Sequence, residues 1–341
     1  MLKVAVVGVN QIGKLHCRAY ADHADAELVA VCDLMPDRAE AAGRAFGVRA
    51  YTSLDELLAR EEVDAIAVAT AGEEKGGHHY APAMTAIAAG KDVLVEKPIS
   101  NRIDEARKMV AFAREKGVRL ACNLNHRFAP AAFRAKALIE EGKLGTILFV
   151  NMRLTIRNPS DETPWLHLRA LHPHSIDVMR YVAGDIRRVQ SFLTKAPGRT
   201  SWSTASLNME FASGAVGHLT GSYDMSMRHP IECLEVGGTA GRLVIDNVYE
   251  TLTYYPHDSD ERMVLQNPIF GGMQGFNDTF RLRIDRFIAD VKRGAPPDEV
   301  AASGADALAA QETIEAAIQS HEAGGAPIEV ARTGGGAPCG S

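Results

Sequence analysis

The chain of 341 residues has no long apolar run; every hydrophobic stretch breaks well short of the ~20 residues that a membrane span needs. Cysteine is scarce. Cys17, Cys32, Cys122, Cys233 and Cys339 lie far apart without a C-x-x-C pair, which argues against zinc, dithiol and disulfide frameworks and for free thiols. Clusters of Lys and Arg are missing too. The 37 basic and 43 acidic side chains leave a net charge of −6, a poor match for nucleic acid or an anionic membrane. No cleavable signal pattern precedes the strand-like residues 2–7, so a cytoplasmic location is expected. There is no internal repeat. What is present is ordinary globular composition: 46% apolar and 23% charged residues exclude intrinsic disorder, and the length suits about two domains.

Up to residue 124 two periods alternate. Short β-branched runs at 4–7, 28–32, 63–69, 93–95 and 118–122 lack polar alternation, as strands buried on both faces do. Helical segments separate them. Ser53 and Glu56 form a capping box before 54–60, and Ile103, Ala106, Val110 and Ala113 make one stripe on a helix ending at Gly117. This alternation predicts an α/β Rossmann domain, a doubly wound parallel sheet, over residues 1–124. Beyond it come a helix at 130–141, a long strand at 146–156, and a helix near 174–182. Strands then follow from 186 to 255, several of them alternating (189–193, 207–211, 231–236), and helices at 277–292 and 304–320 close the chain. That order predicts an α+β domain over 125–332 with an open, mainly antiparallel sheet, one face packed on helices. Residues 333–341 are Gly-rich and read as a flexible tail.

Strand 4–7 runs into Gly8-Val9-Asn10-Gln11-Ile12-Gly13 and then a helix. The dinucleotide fingerprint is G-x-G-x-x-G, in which backbone N–H groups at a helix start hold a pyrophosphate. Gly8 and Gly13 fit its outer positions, and Asn10 stands where the middle glycine allows close approach, with Asn tolerating unusual φ. A plain tight strand–helix turn is the other reading. Asp33 ends the second strand twenty residues after Gly13, where an acid accepts hydrogen bonds from the adenosine ribose; capping the helix at Pro36 is its alternative role. A carboxylate there repels the extra phosphate of NADP, so NAD is expected. Arg38 could swing over that phosphate, which keeps NADP open.

A family likeness enters at Glu96-Lys97-Pro98. The stretch from His79 through Gly90 to Pro98, then Asn125-His126-Arg127-Phe128, Glu141-Gly-Lys-Leu-Gly145 and His174-Ser-Ile-Asp177-Val-Met-Arg180-Tyr181, resembles the glucose–fructose oxidoreductase/inositol dehydrogenase (Gfo/Idh/MocA) superfamily. Order and spacing match over nearly the whole chain. The resemblance implies a Rossmann domain followed by an α+β domain whose open sheet makes homodimer or homotetramer contacts. It also implies a sugar- or polyol-like substrate and cofactor contacts that extend to Thr70, Ala71, His79, Glu96, Lys97 and Asn125. In such enzymes the lysine lies at the reacting oxygen, the histidine matching His174 works with it, and an arginine matching Arg127 lines the cleft. Arg157-Asn158-Pro159 matches an Arg-Asp-Pro turn, with Asn for Asp, and adds Arg157 to the substrate residues.

The chemistry can be read beside the likeness. Oxidising a secondary alcohol needs a group that takes the hydroxyl proton as hydride leaves the same carbon. Lys97 ends a buried strand in the crevice where doubly wound sheets hold ligands, and desolvation weakens a lysine's hold on its proton. A surface lysine in a turn is the alternative. The Lys97–Pro98 bond is a candidate for cis. His174 and Asp177 are three apart at a helix start and share a face, so Asp177 could orient the imidazole or hold substrate; a satisfied core histidine is the bland reading. The family usually carries Asp four residues before this histidine, but here Ala170 stands there and His172 follows. Either His172 takes part of the proton work or the substrate differs from a simple polyol. Trp165 stacks on a sugar or simply packs. The loop 72–77 is longer than usual and suggests a rim over the nicotinamide side. His167, His172 and His174 lack a Cys or carboxylate companion, so no metal is expected. The expectation is therefore an NAD(H)-dependent oxidoreductase acting on a secondary alcohol or ketone of a sugar, polyol or sugar derivative. A dihydrodiol or hemiacetal substrate and a non-catalytic dinucleotide sensor are the alternatives.

Overall fold

A computed structural model of the chain describes residues 1–71, 78–228, 230–248, 250–267 and 275–331. The loop 72–77, the tail 333–341 and Cys339 lie outside the described residues. Six parallel strands build the first sheet: β1 (Leu2–Val7), β2 (Ala26–Cys32), β3 (Arg49–Tyr51), β4 (Ala65–Val68), β5 (Asp92–Val95) and β6 (Leu120–Cys122). Their order is β3-β2-β1-β4-β5-β6, so the chain reverses direction across the sheet between β1 and β4. The apolar runs are buried on both faces, as in β4 and β5. Between the strands run α1 (Gln11–Ala21), α2 (Pro36–Phe46), α3 (Leu54–Arg60), α4 (Tyr80–Ala88) and α5 (Ile103–Lys116). Ser53 caps α3 by accepting the Glu56 N–H, and Gly117 ends α5 in the left-handed conformation.

The chain continues through α6 (Pro130–Glu140), β7 (Ile147–Thr155), α7 (Leu166–Ala183), β8 (Ile186–Thr194), β9 (Thr204–Phe211) and β10 (Val216–Ser222). Then come β11 (Glu232–Gly238), β12 (Gly241–Asp246), β13 (Thr251–Pro256) and β14 (Met263–Gln266). With β15 (Ile328–Glu329) these strands form a second sheet, ordered β14-β13-β12-β11-β7-β10-β9-β8-β15. It is antiparallel except where β10 pairs parallel with β7. Strand alternation turns Leu207, Leu219, Leu234 and Val236 onto a core shared with Ile176 and Met179 of α7.

Two closing helices, α8 (Asn277–Lys292) and α9 (Gly304–Glu322), complete the chain. The chain forms two compact units, Met1–Asn125 with Gly275–Leu308, and His126–Gln274 with Ala309–Ser341. The sequence reading places everything from 125 to 332 in one domain, and here the structure differs. The cause is the apolar stripe of α8: Ile284, Phe287 and Ile288 pack with Cys17 and Tyr20 of α1 in the core of the first unit. Another difference is α7, which starts eight residues before His174 and carries Pro173 in its interior. Most of this helix is buried, and tertiary packing outweighs the one hydrogen bond that proline cannot donate. Among the described residues Cys17, Cys32, Cys122 and Cys233 form no disulfide, and no helix is long and apolar enough to cross a membrane.

Candidate active site

In the first unit the turn after β1 is shaped by two glycines. Gly8 has φ +86°, and a Cβ there would lie 2.6 Å from the Thr70 backbone nitrogen. A Cβ on Gly13 would lie 1.8 Å from the Gly8 carbonyl oxygen, so α1 packs against the turn only without one. Asn10 has φ −76° and ψ −160°, an ordinary extended backbone. The expectation that Asn is admitted for unusual φ is therefore corrected: the left-handed residue of the turn is Gly8. Asn10, Gln11 and Ile12 are exposed at the start of α1, and its first turn has no acidic side chain to compete with an anion. Asp33 is buried, and its carboxylate accepts the N–H of Val9 at 2.9 Å and of Met35 at 3.0 Å. Met35, not Asp33, caps α2. Each carboxylate oxygen retains a second lone pair for a hydroxyl. Arg38 is exposed on α2. These residues fit a dinucleotide: a helix start free of acids, backbone unshielded by side chains, and an acid beyond β2.

The Glu96-Lys97-Pro98 turn follows β5 at the same carboxyl edge of the sheet as Gly8 and Thr70, where doubly wound sheets bind ligands. Glu96 is buried; its carboxylate accepts hydrogen bonds from His16 (2.8 Å), Asn123 and the Lys97 N–H (3.1 Å). Burial pushes this carboxyl up, but the bonds from His16 and Asn123 and the nearby positive charge outweigh it, so the net direction is down. The Lys97–Pro98 bond is cis. His79 is fully buried, its two ring nitrogens 2.7 Å from the carbonyl oxygens of Pro98 and Thr70. With one ring proton it donates to one of these two acceptors at a time, the Lys97 turn or the end of β4. Burial lowers its affinity for a second proton. The Thr70 hydroxyl donates to the His78 carbonyl, Ala71 is exposed, and Asn125 donates its amide to the Thr279 hydroxyl.

In the second unit His174 and Asp177 sit in the middle of α7, one turn apart, both buried. The Arg127 guanidinium donates twice to the Asp177 carboxylate, through Nε at 2.7 Å and through a second nitrogen, and lies over the Tyr181 ring. His126 stacks flat on His174, with ring centres 4.0 Å apart and planes 6° off parallel. The other nitrogen set of this pair reaches the sheet: His126 Nδ1 is 2.7 Å from the Glu232 carboxylate. His172 points elsewhere. Its Nε2 meets His167 Nε2 at 3.1 Å and its Nδ1 meets the Ser175 hydroxyl at 3.0 Å. Gly221 of β10 makes room, since a Cβ there would lie 1.9 Å from His172 Nε2. Burial pulls His172 down to about 3 and His167 well below its usual value. Trp165 caps α7 and packs against Trp202 and His321, and exposed Arg157 lines an open cavity of about 900 Å³ with Arg199, Asp224 and Met227.

Residues 2–124 match the GFO_IDH_MocA oxidoreductase family, NAD-binding Rossmann fold, and residues 133–244 match the GFO/IDH/MocA C-terminal domain. The chain belongs to the GFO/IDH/MocA oxidoreductases. Inositol 2-dehydrogenase of Rhizobium meliloti is 27% identical over 334 residues, 94% of this chain and 96% of the relative. D-apiose dehydrogenase of Paraburkholderia graminis is 27% identical over 261 residues, 72% of this chain and 68% of the relative. Among solved structures, levoglucosan dehydrogenase in complex with NADH and L-sorbose superposes with a TM-score of 0.86 at 23% identity. That superposition covers 97% of this chain and 99% of the other, a likeness of fold.

For this GFO/IDH/MocA member the sequence reading misses four polar residues around the motif side chains: His16, Asn123, His126 and Glu232. A signal existed for Glu232, whose strand parity matches Leu234 and Val236, so an acid was due to point inward. For His16 and Asn123 none existed, since each lies far along the chain from Glu96.

Proposed function

We propose that this protein is a dehydrogenase that interconverts a secondary alcohol and its ketone on a sugar, inositol-like polyol or sugar derivative, with Lys97 and His174 handling the hydroxyl proton. NAD, when bound, supplies the hydride acceptor for the oxidation. Gly8, Asn10, Gln11, Ile12 and Gly13 form its pyrophosphate cradle, and Asp33 receives the adenosine ribose. The observation that carries the reading is the double anchoring around Lys97. On one side the Glu96 carboxylate is pinned by His16 and Asn123; on the other the Pro98 carbonyl is pinned by His79. A half-buried lysine on so fixed a turn is oriented for one oxygen atom and is in reach of proton exchange. Arg127 and Asp177 act as one unit, the carboxylate holding the guanidinium. The polyhydroxylated substrate class is supported by relatives named for inositol and apiose. A homodimer or homotetramer through the open face of the second sheet is part of the proposal; Phe192 and Val216 are exposed there.

The test is a panel of inositols, sugars and sugar nucleotides followed at the nicotinamide absorbance, then repeated with Lys97→Met. That variant keeps the apolar stem and loses the proton carrier. Turnover on the identified substrate falls by about 100-fold or more while NAD affinity by calorimetry is kept. Turnover near that of the parent protein would overturn the assignment of Lys97.

A further inference from the structure

Strand β11 turns Glu232, Leu234 and Val236 to the inner face of the second sheet, and Leu234 and Val236 join the apolar core. Glu232 has the same parity and is only 4% exposed. An apolar side chain would occupy that place at far lower cost, because a buried carboxylate must be compensated by a close partner. Its partner is His126, at 2.7 Å, which is itself only 5% exposed. The His126 ring in turn lies on His174 at 4.0 Å, nearly parallel. One carboxylate and two imidazoles are therefore in successive contact from the sheet to the middle of α7, the first contact at the edge of the His126 ring and the second on its face. On α7 itself, the carboxylate one turn after His174 is Asp177, which is engaged by Arg127, and the position one turn before it is Ala170.

We infer that Glu232 and His126 are positioning residues for His174: the carboxylate fixes the ring orientation of His126, and the stacked ring fixes that of His174. The inference rests on the proton-handling reading of His174 given above. Its physical basis is that a buried imidazole has two ring flips and two tautomers open to it. With Nδ1–H donated to Glu232, His126 keeps one of each. A parallel ring in contact then cannot turn about its own bond without displacing its neighbour. Two ionisable groups retained inside an apolar core thus specify geometry where a leucine would only fill space.

The experiment compares Glu232→Leu with Glu232→Gln in the full-length protein, using the substrate found in the panel. Leucine supplies what the strand pattern calls for and removes the acceptor; glutamine keeps shape and an acceptor oxygen. Glu232→Leu should lower kcat by about 10- to 100-fold, as small misplacements of reacting groups do, with KM and NAD affinity within about twofold of the parent. Glu232→Gln should recover most of that kcat. Ala170→Asp in the Glu232→Leu background places a carboxylate one helical turn before His174 and should recover part of it. If Glu232→Leu does not fold, the pair His126→Leu with Glu232→Leu, which leaves an apolar pair and takes the flat ring off His174, should show the same selective loss of kcat. Parental kcat in Glu232→Leu would overturn the inference. So would a joint fall of kcat, NAD affinity and melting temperature that glutamine does not reverse. His174→Ala separates the two levels. If it keeps parental turnover, the reading of His174 falls; if it is inactive while Glu232→Leu is silent, only the present inference falls.

Discussion

The carboxylate of Asp33 braces two backbone N–H groups, one from the turn after β1 and one from the residue that caps α2. It therefore shapes the cradle as well as carrying charge. Charge repulsion between this carboxylate and a 2′-phosphate should make NAD bind more tightly than NADP by about 1–2 kcal/mol. Asp33→Ser should narrow or invert that preference, with Arg38 available to a 2′-phosphate. Calorimetric affinities for both cofactors check this, and equal affinities in the parent protein would contradict it. At this scale the sequence is legible where chemistry is local. Gly8, Gly13, Asp33 and the Glu96-Lys97-Pro98 turn are read directly from short motifs. The residues that hold Glu96 are not: His16 lies 80 positions away and Asn123 27, and only folding brings them to one carboxylate. His174 and Lys97 could be named from a motif, whereas the stack on His126 is a tertiary contact without a local trace.

At the scale of an element, α7 is the instructive case. A proline normally argues that a helix ends or begins there, and so His174 and Asp177 read as a helix start. Burial on nearly every side carries the helix through Pro173 back to Leu166. The extra turns place His167 and His172 inside the unit, in contact with each other. Burial holds His172 neutral down to about 3 in contact with His167, which, of the two readings of the Ala170 departure, favours a different substrate over proton work by His172 and leaves a buried neutral pair. That pair makes the fold acid-sensitive. In the unfolded chain both histidines bind a proton near pH ~6.5, while the folded chain holds His172 neutral down to about 3. Between those values the unfolded state binds more protons, so stability is lost as pH falls through the window. The limiting slope is about 1.4 kcal/mol per pH unit for each histidine. Melting temperatures between about pH 7 and 5 should therefore fall less steeply for His172→Gln than for the parent. Equal slopes would mean that other groups set the acid limit.

For the whole molecule, the alternation of strands and helices shows the two fold classes from sequence alone, because each period is local. Which unit α8 joins is not local: its stripe of Ile284, Phe287 and Ile288 is readable, but its partner surface on α1 is not. A fragment of residues 1–125 should accordingly lack a cooperative thermal transition and show no NAD-dependent stabilisation. The same fragment joined by a flexible linker to 275–308 should regain both, as read by calorimetry. A cooperative, NAD-stabilised 1–125 would show that α8 is dispensable. The interleaving also has a consequence for biosynthesis. A ribosome working from the N-terminus finishes β6 long before it reaches Phe287, so the apolar side of α1 waits uncovered while the strands of the second sheet are still being made. The second unit waits in its turn for the later part of α9 and for β15. Neither unit can be completed and set aside before the closing helices are made, the first waiting for α8 and the start of α9 and the second for the rest of α9.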